Sequence, residues 1–182
     1  LFHFGMTGDF KYYFEDEDRP KYERFHIQFE GGGKLGFDCP RKFARIAFIE
    51  DLNAYIKELG LGEDALLITK DSFLSKMDGR TATIKGFLLN QKILAGVGNL
   101  YADEICYQTR VHPSSRVNAL STRKKNEIYQ AMRSILTTAV ERTAHYKAYP
   151  DDWFWAWRNK DGKSDKGEIM IEKIAGRTTY SV

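Results

Sequence analysis

The stretch from Lys85 to Pro113, KGFLLNQKILAGVGNLYADEICYQTRVHP, constrains this chain more than any other. An apolar helical run (Ile84, Phe87, Leu88) leads to Gly96, Gly98 and Asn99, and a second amphipathic run (Leu100, Ala102, Ile105, Cys106) follows. The spacing predicts two helices joined by a glycine-bearing turn. Asn99 stands where a helix N-cap is expected. Gly96 and Gly98 have no side chains, so their amides and those opening the second helix can approach an anion closely. Two readings stay open on these residues alone, a plain turn or a phosphate-gripping hairpin.

Charge favours the second. Net charge is only +3, but residues 80–147 carry 11 basic against 4 acidic side chains, whereas residues 1–79 carry 11 against 15. A basic segment that coincides with an anion-gripping turn points to a polyanion partner. With 182 residues the chain has room for one large domain or two small ones. Its 42% hydrophobic and 29% charged residues are expected of a soluble globular protein. No apolar run approaches the roughly 20 residues of a membrane span. Cys39 and Cys106 stand far apart without a CxxC partner, which fits a reducing cytosol and argues against a disulfide framework or a zinc site.

Residues 1 to 14 alternate aromatic and polar positions and break at Gly5 and Gly8, predicting two short strands with Met6 on the turn between them. A strand over Tyr22 to Glu30, a Gly31-Gly32-Gly33 turn and a return over Lys34 to Asp38 predict a hairpin. Phe43 to Ile49 reads as another strand, Glu50 to Gly62 as a short helix or link, and Lys70 to Met77 as a helix. A long helix from about Leu120, capped by Ser121 or Thr122, places Ile128, Met132, Ile135, Leu136, Ala139 and Val140 on one stripe. Arg123, Lys124 and Lys125 in its first turns oppose the helix dipole, so solvent or phosphate is their expected partner. Gly167 to Val182 reads as a β-hairpin turning at Ala175-Gly176.

Taken together these strings resemble the formamidopyrimidine-DNA glycosylase and endonuclease VIII family. The helix-two-turn-helix pattern of that family is matched from Thr81-Ala82-Thr83-Ile84-Lys85 through Ala95-Gly96-Val97-Gly98-Asn99-Leu100-Tyr101-Ala102-Asp103-Glu104 to His112-Pro113. His3-Phe4-Gly5-Met6-Thr7-Gly8 matches its HxGMTG string. Asp38-Cys39-Pro40-Arg41-Lys42-Phe43 matches a DPRRF-type loop, with Cys39 inserted. Ile171-Glu172-Lys173-Ile174 and Gly176-Arg177-Thr178-Thr179-Tyr180 fit the central hairpin of its zinc finger. Ser164, Gly167 and Ser181 stand near the cysteine positions, so no thiolate is available there and no metal is expected.

The resemblance implies an α+β fold: part of a β-sandwich over residues 1–66, a helix-two-turn-helix domain over 67–147, and an aromatic loop with a zincless-finger hairpin over 148–182. It implies base-excision repair of damaged bases in duplex DNA by a glycosylase and AP lyase, without a cofactor. Lys85, Gly98, Asn99 and Arg177 are implied to grip DNA phosphates. Met6, Arg41 and Phe43 are implied to fill the gap left by an extruded nucleotide, where an apolar wedge and a guanidinium offset lost stacking and pairing. The family's nucleophile, the secondary amine of an N-terminal proline followed by glutamate, is not in this sequence, so no catalytic residue is assigned. Leu1 already reads as strand interior, and a missing N-terminal portion is expected, leaving a chain that binds damaged or abasic duplex without cutting it. A monomer in a bacterial-type cytoplasm, associated with the nucleoid, completes the expectation.

The sequence departs from the oxidised-purine branch between His145 and Lys166. Tyr146, Tyr149, Trp153, Phe154, Trp155 and Trp157 there can serve either as a base-stacking surface or as a small aromatic core. The alternative function is a non-catalytic nucleic-acid module, because the same helix-two-turn-helix also serves in a ribosomal protein and a topoisomerase. Met6 and the Arg-x-Phe wedge argue for repair.

Overall fold

The computed structural model describes residues 1–5, 7–158 and 162–182. The chain divides into two compact units, Leu1–Glu58 and Leu59–Val182. Helices and strands mix as an α+β fold requires. No helix among the described residues is long and apolar enough to cross a membrane.

The first unit contains β1 (Phe2–His3), β2 (Asp9–Tyr13), β3 (Glu23–Gln28), β4 (Lys34–Asp38) and β5 (Arg45–Ile46), followed by α1 (Leu52–Leu59), whose last residue falls in the second unit. Strands β2, β4 and β3 form an antiparallel sheet in that order, and β1 pairs antiparallel with β5. The aromatic alternation seen in the sequence puts Phe2, Phe4, Phe10 and Phe37 together, with ring centroids 5.0 to 5.6 Å apart around the buried Phe37. The triple-glycine turn is closed by the Phe29 amide donating to the Gly33 carbonyl at 2.8 Å, with Gly32 at φ +84°. The strand expected over Phe43 to Ile49 is regular only at Arg45–Ile46, with Ala47 beyond it exchanging backbone hydrogen bonds with Leu1 at 3.1 and 2.8 Å. Its partner β1 is equally short, because the chain turns at Gly5 with φ +65°.

The second unit is built on α2 (Lys70–Met77), α3 (Ile84–Leu89), α4 (Asn99–Thr109) and α5 (Thr122–Glu141). Two-residue strands β6 (Glu63–Asp64) and β7 (Leu94–Ala95) pair in parallel beside them. That pairing, with the Gly62 amide bonded to the Gln91 carbonyl at 2.8 Å, draws residues after Leu59 to the helices. Hydroxyl caps start three of the helices: Thr69, Thr83 and Ser121 accept from the amides of Ser72, Gly86 and Lys124. Phe73, Met77, Ile84, Phe87, Leu88, Ile105, Ile128 and Met132 form the core, and the α5 stripe is buried except for Val140, which is 65% exposed.

At the basic start of α5, Arg123 is exposed to solvent as expected, whereas Lys124 and Lys125 are partly covered and find partners within the protein. Lys124 Nζ donates to the Thr109 carbonyl at 2.9 Å, satisfying the C-terminus of α4, and also meets Glu127 at 2.5 Å. Arg123 pairs with Glu127 at 3.0 Å and Lys125 with Asp78 at 3.4 Å.

After α5 the aromatic segment packs on α4. Tyr107 stacks on Phe154 at 4.5 Å, and the hydroxyls of Tyr101 and Tyr149 lie 2.7 Å apart. Tyr149, Trp153 and Phe154 are buried, which places them in the aromatic core of the two readings left open. Tyr146 is exposed and stacks on Trp155. Strands β8 (Lys163–Ser164) and β9 (Gly167–Glu168) pair, and β10 (Met170–Ile174) pairs with β11 (Arg177–Ser181) around Ala175 and Gly176 at φ +50° and +75°.

Candidate nucleic-acid interface

The turn between α3 and α4 is stitched by a side chain to which the sequence reading gave no role. Gln91 accepts from the Gly96 amide through Oε1 at 3.0 Å and donates from Nε2 to the Val97 carbonyl at 3.0 Å. Gly96 adopts φ +97°, a conformation that favours glycine. Gly98, exposed and with open space where a side chain would stand, occupies the N-cap of α4. The cap expected at Asn99 therefore lies one residue earlier, because Gly98 holds the extended cap conformation and Asn99 is already helical. Among the described residues no side-chain hydrogen bond caps this helix, so its opening amides and positive dipole end are left without a side-chain partner there.

Freed from capping, Asn99 reaches across to the C-terminal hairpin, where its Nδ2 donates to the Thr178 carbonyl at 3.0 Å. That bond brings the neighbouring Arg177, exposed at the hairpin tip, to the N-terminus of α4. Asn99, next to Gly98, thus ties the start of α4 to the hairpin strand that carries Arg177.

Lys85 does not join them on the surface, and the phosphate contact expected of it is corrected. Its side chain is 0% exposed; Nζ donates to Asp103 Oδ1 at 2.5 Å, Thr179 Oγ1 at 2.7 Å and the Thr178 carbonyl at 3.3 Å. Burial draws this ammonium below the usual lysine range and lifts the Asp103 carboxyl above the usual carboxylate range, each effect opposed by the partner's charge. Asp103 Oδ2 also accepts from Arg158 at 3.0 Å and from the Tyr180 amide at 3.3 Å. Beside it, buried Glu104 accepts from Gln108 at 2.8 Å and from the amides of Phe154 and Trp155 at 3.0 and 3.3 Å. Burial raises its pKa against those bonds. Sequence reasoning assigned neither acid a role, although a DE pair inside an apolar helical run was the available signal.

Among the described residues no cluster of His, Cys, Asp and Glu could hold a metal ion. Protein contacts fasten the β8–β9 turn. Tyr107 donates its hydroxyl proton to Asp165, Lys166 Nζ lies 3.7 Å from the Tyr107 ring centre, and that ammonium donates to the Gln108 side chain at 3.2 Å. Cys39 and Cys106 are both buried and free, and burial pushes the Cys106 thiol up to about 12.

In the first unit, Arg41 and Phe43 sit on the loop before β5. Phe43 is 62% exposed, with the Arg41 guanidinium 5.3 Å from its ring centre. Lys42 between them takes φ +56°, which turns its neighbours to one side. Gly5 abuts this loop so closely that a Cβ there would stand 2.9 Å from the Phe43 carbonyl carbon and oxygen. The turn that follows β1 and the Arg41–Phe43 loop are therefore adjacent. Met6 itself lies outside the described residues.

A helix-two-turn-helix whose uncapped second helix meets an arginine-tipped hairpin is the class that fold and site define. The model of the formamidopyrimidine-DNA glycosylase helix-two-turn-helix domain matches residues 61–148, and that of the same family's N-terminal domain matches residues 1–46. A formamidopyrimidine-DNA glycosylase of Arabidopsis thaliana is 31% identical over 92% of this chain and 45% of its own length. One from Listeria innocua is 37% identical over 77% of this chain and 53% of its own length. Among solved structures, the Lactococcus lactis enzyme non-covalently bound to DNA containing an AP site aligns with 99% of this chain and 70% of that one, at TM-score 0.82 and 25% identity. A complex of MutM with DNA containing carbocyclic 8-oxo-G shares the fold at TM-score 0.85 and 23% identity, over 99% of this chain and 71% of that one. The chain belongs to the formamidopyrimidine-DNA glycosylase and endonuclease VIII family. It spans about half the length of the curated relatives it matches.

Proposed function

We propose that this chain supplies the DNA grip of a base-excision repair glycosylase and AP lyase, and that it binds duplex DNA at an abasic site or damaged base. The observation that carries the reading is the exposed Arg177 beside the uncapped start of α4, joined through Asn99 to the Thr178 carbonyl. A guanidinium and uncapped helix amides together suit a phosphate. The exposed Phe43 with Arg41 beside it favours a lesion-directed protein over a general nucleic-acid module, which has no gap to fill. The catalytic step needs an amine that attacks the sugar. None of Pro20, Pro40, Pro113 and Pro150 is followed by glutamate. On the binding reading no Schiff-base nucleophile is therefore assigned to these residues.

The test is a titration of intact duplex and of duplex bearing a tetrahydrofuran abasic analogue, at several salt concentrations. Tighter binding to the abasic duplex is expected, with a salt slope that falls by about one for Arg177→Ala. Borohydride with a natural abasic duplex should give no cross-link. Equal affinity for both duplexes would remove the lesion reading, and efficient trapping would remove the non-catalytic one.

A further inference from the structure

The geometry points to Lys85 and Thr179 as positioning residues for Arg177, an inference that rests on the DNA-clamp reading above. An ammonium has three donors, and those of Lys85 go to Asp103, Thr179 and the Thr178 carbonyl inside the protein. Thr179, itself 0% exposed, passes the line on: its Oγ1 accepts from Lys85 and donates to the Arg177 carbonyl at 3.1 Å. A continuous path of side chains thus runs from Asp103 on α4 through Lys85 on α3 and Thr179 on β11 to the backbone of Arg177. The adjacent Thr178 carbonyl is held twice, by Lys85 and by Asn99.

The hairpin tip needs such support. Its turn is two residues long, and Arg177, Thr178 and Gly176 are all exposed, so apolar packing at the tip fixes little. Hydrogen bonds are directional, and these set both the height and the rotation of Arg177 relative to the first amides of α4. A buried ion pair is weak evidence for stability, because desolvation offsets most of the attraction, whereas a role in fixing geometry fits its placement. Lys85 is enclosed on every side, so its charge cannot replace a phosphate counterion. Its effect on DNA reaches the phosphate only through Arg177.

A double-mutant cycle tests this on the full-length protein, with tetrahydrofuran-containing duplex titrated at several salt concentrations. Thr179→Val keeps shape and every charge while removing both Oγ1 bonds. Lys85→Met removes the ammonium. Arg177→Ala should weaken binding roughly tenfold or more and lower the salt slope by about one. Thr179→Val and Lys85→Met should each weaken binding about fivefold or more, measured below their melting transitions. Combined with Arg177→Ala, neither should add a further loss, since no correctly placed arginine remains to be displaced. Should Lys85→Met fail to fold, the Thr179→Val cycle carries the test alone. Additive losses in the double variants would overturn the positioning role, as would wild-type affinity in folded Thr179→Val. If Arg177→Ala itself changes neither affinity nor slope, the clamp reading falls and takes this inference with it. If Arg177→Ala behaves as stated while the pairs are additive, only the positioning role falls.

Discussion

The two candidate contact surfaces are built in opposite ways. In the unit Leu1–Glu58, Phe43 and Arg41 present themselves on a loop shaped by backbone: Lys42 is left-handed, and Gly5 leaves no room for a side chain against Phe43. In the unit Leu59–Val182, exposed Arg177 is reached through buried polar side chains, Lys85, Asp103 and Thr179, that touch nothing outside the protein. A residue that acts through its own exposed atoms can be removed with little cost to folding. A residue that acts by holding another cannot. Mutations should therefore separate binding from stability in the first surface and join them in the second.

The largest effect is expected at Asp103. Asp103→Ala takes from the Lys85 ammonium the one carboxylate that pairs with it among the described residues and removes a partner of Arg158, and stripping one member from a buried ion pair costs roughly 3 to 5 kcal/mol. A thermal melt should show the loss, and DNA affinity should fall with it. A variant that melts like the parent would break the contrast between the two surfaces, because the clamp would then stand without its buried support.

Next comes Gly5→Ala, which tests the backbone side of the contrast. A non-glycine residue at φ +65° is strained, and the added Cβ meets the Phe43 carbonyl, so a cost of roughly 1 to 3 kcal/mol is expected. Preference for abasic over intact duplex should fall as the loop shifts. An unchanged melt with an unchanged preference would mean that the close approach to Phe43 shapes nothing.

The sequence was legible where local chemistry decides. The glycine turn, the Ser121 cap, the α5 stripe and the two hairpins follow from spacing within a few residues. Asn99 was misplaced by one residue because glycine caps without a side-chain signal, whereas asparagine advertises itself. The resemblance implies a phosphate contact for Lys85, and nothing local corrects it because its partners lie far along the chain: Asp103 is 18 residues on, and Thr179 is 94. Periodicity reports which face of a helix a residue occupies, not which distant strand will cover it. For the same reason the partners of Glu104, the amides of Phe154 and Trp155, are not legible in the sequence, although its place in an apolar helical run hints at burial.

A smaller effect tests what fastens the finger. Tyr107→Phe removes the hydroxyl bonded to Asp165 while keeping the ring that stacks on Phe154 and lies under Lys166. A loss of about 1 kcal/mol is expected, the usual net worth of one hydrogen bond. Chelator treatment should leave melting and DNA affinity unchanged, since side-chain contacts hold the β8–β9 turn. A fall in melting temperature with chelator, restored by zinc, would replace this account with a metal-held one.

The smallest effect on stability is expected at Phe43, where the effect on recognition is the most selective. Its ring is 62% exposed, so Phe43→Ala opens no core cavity and should change stability by less than about 0.5 kcal/mol. An intact duplex offers the ring no gap, and affinity for it should stay near the parent's. An abasic duplex has an unstacked space that the ring can enter, and affinity there should fall by roughly tenfold, the scale of one base–aromatic stack. Arg41→Ala should share the abasic-specific loss, because its guanidinium sits 5.3 Å from the same ring. A melting curve and two binding isotherms for each variant decide the matter. Equal losses on both duplexes would make Phe43 and Arg41 general contacts, and the first surface would then differ from the second only in how it is supported, not in what it recognises.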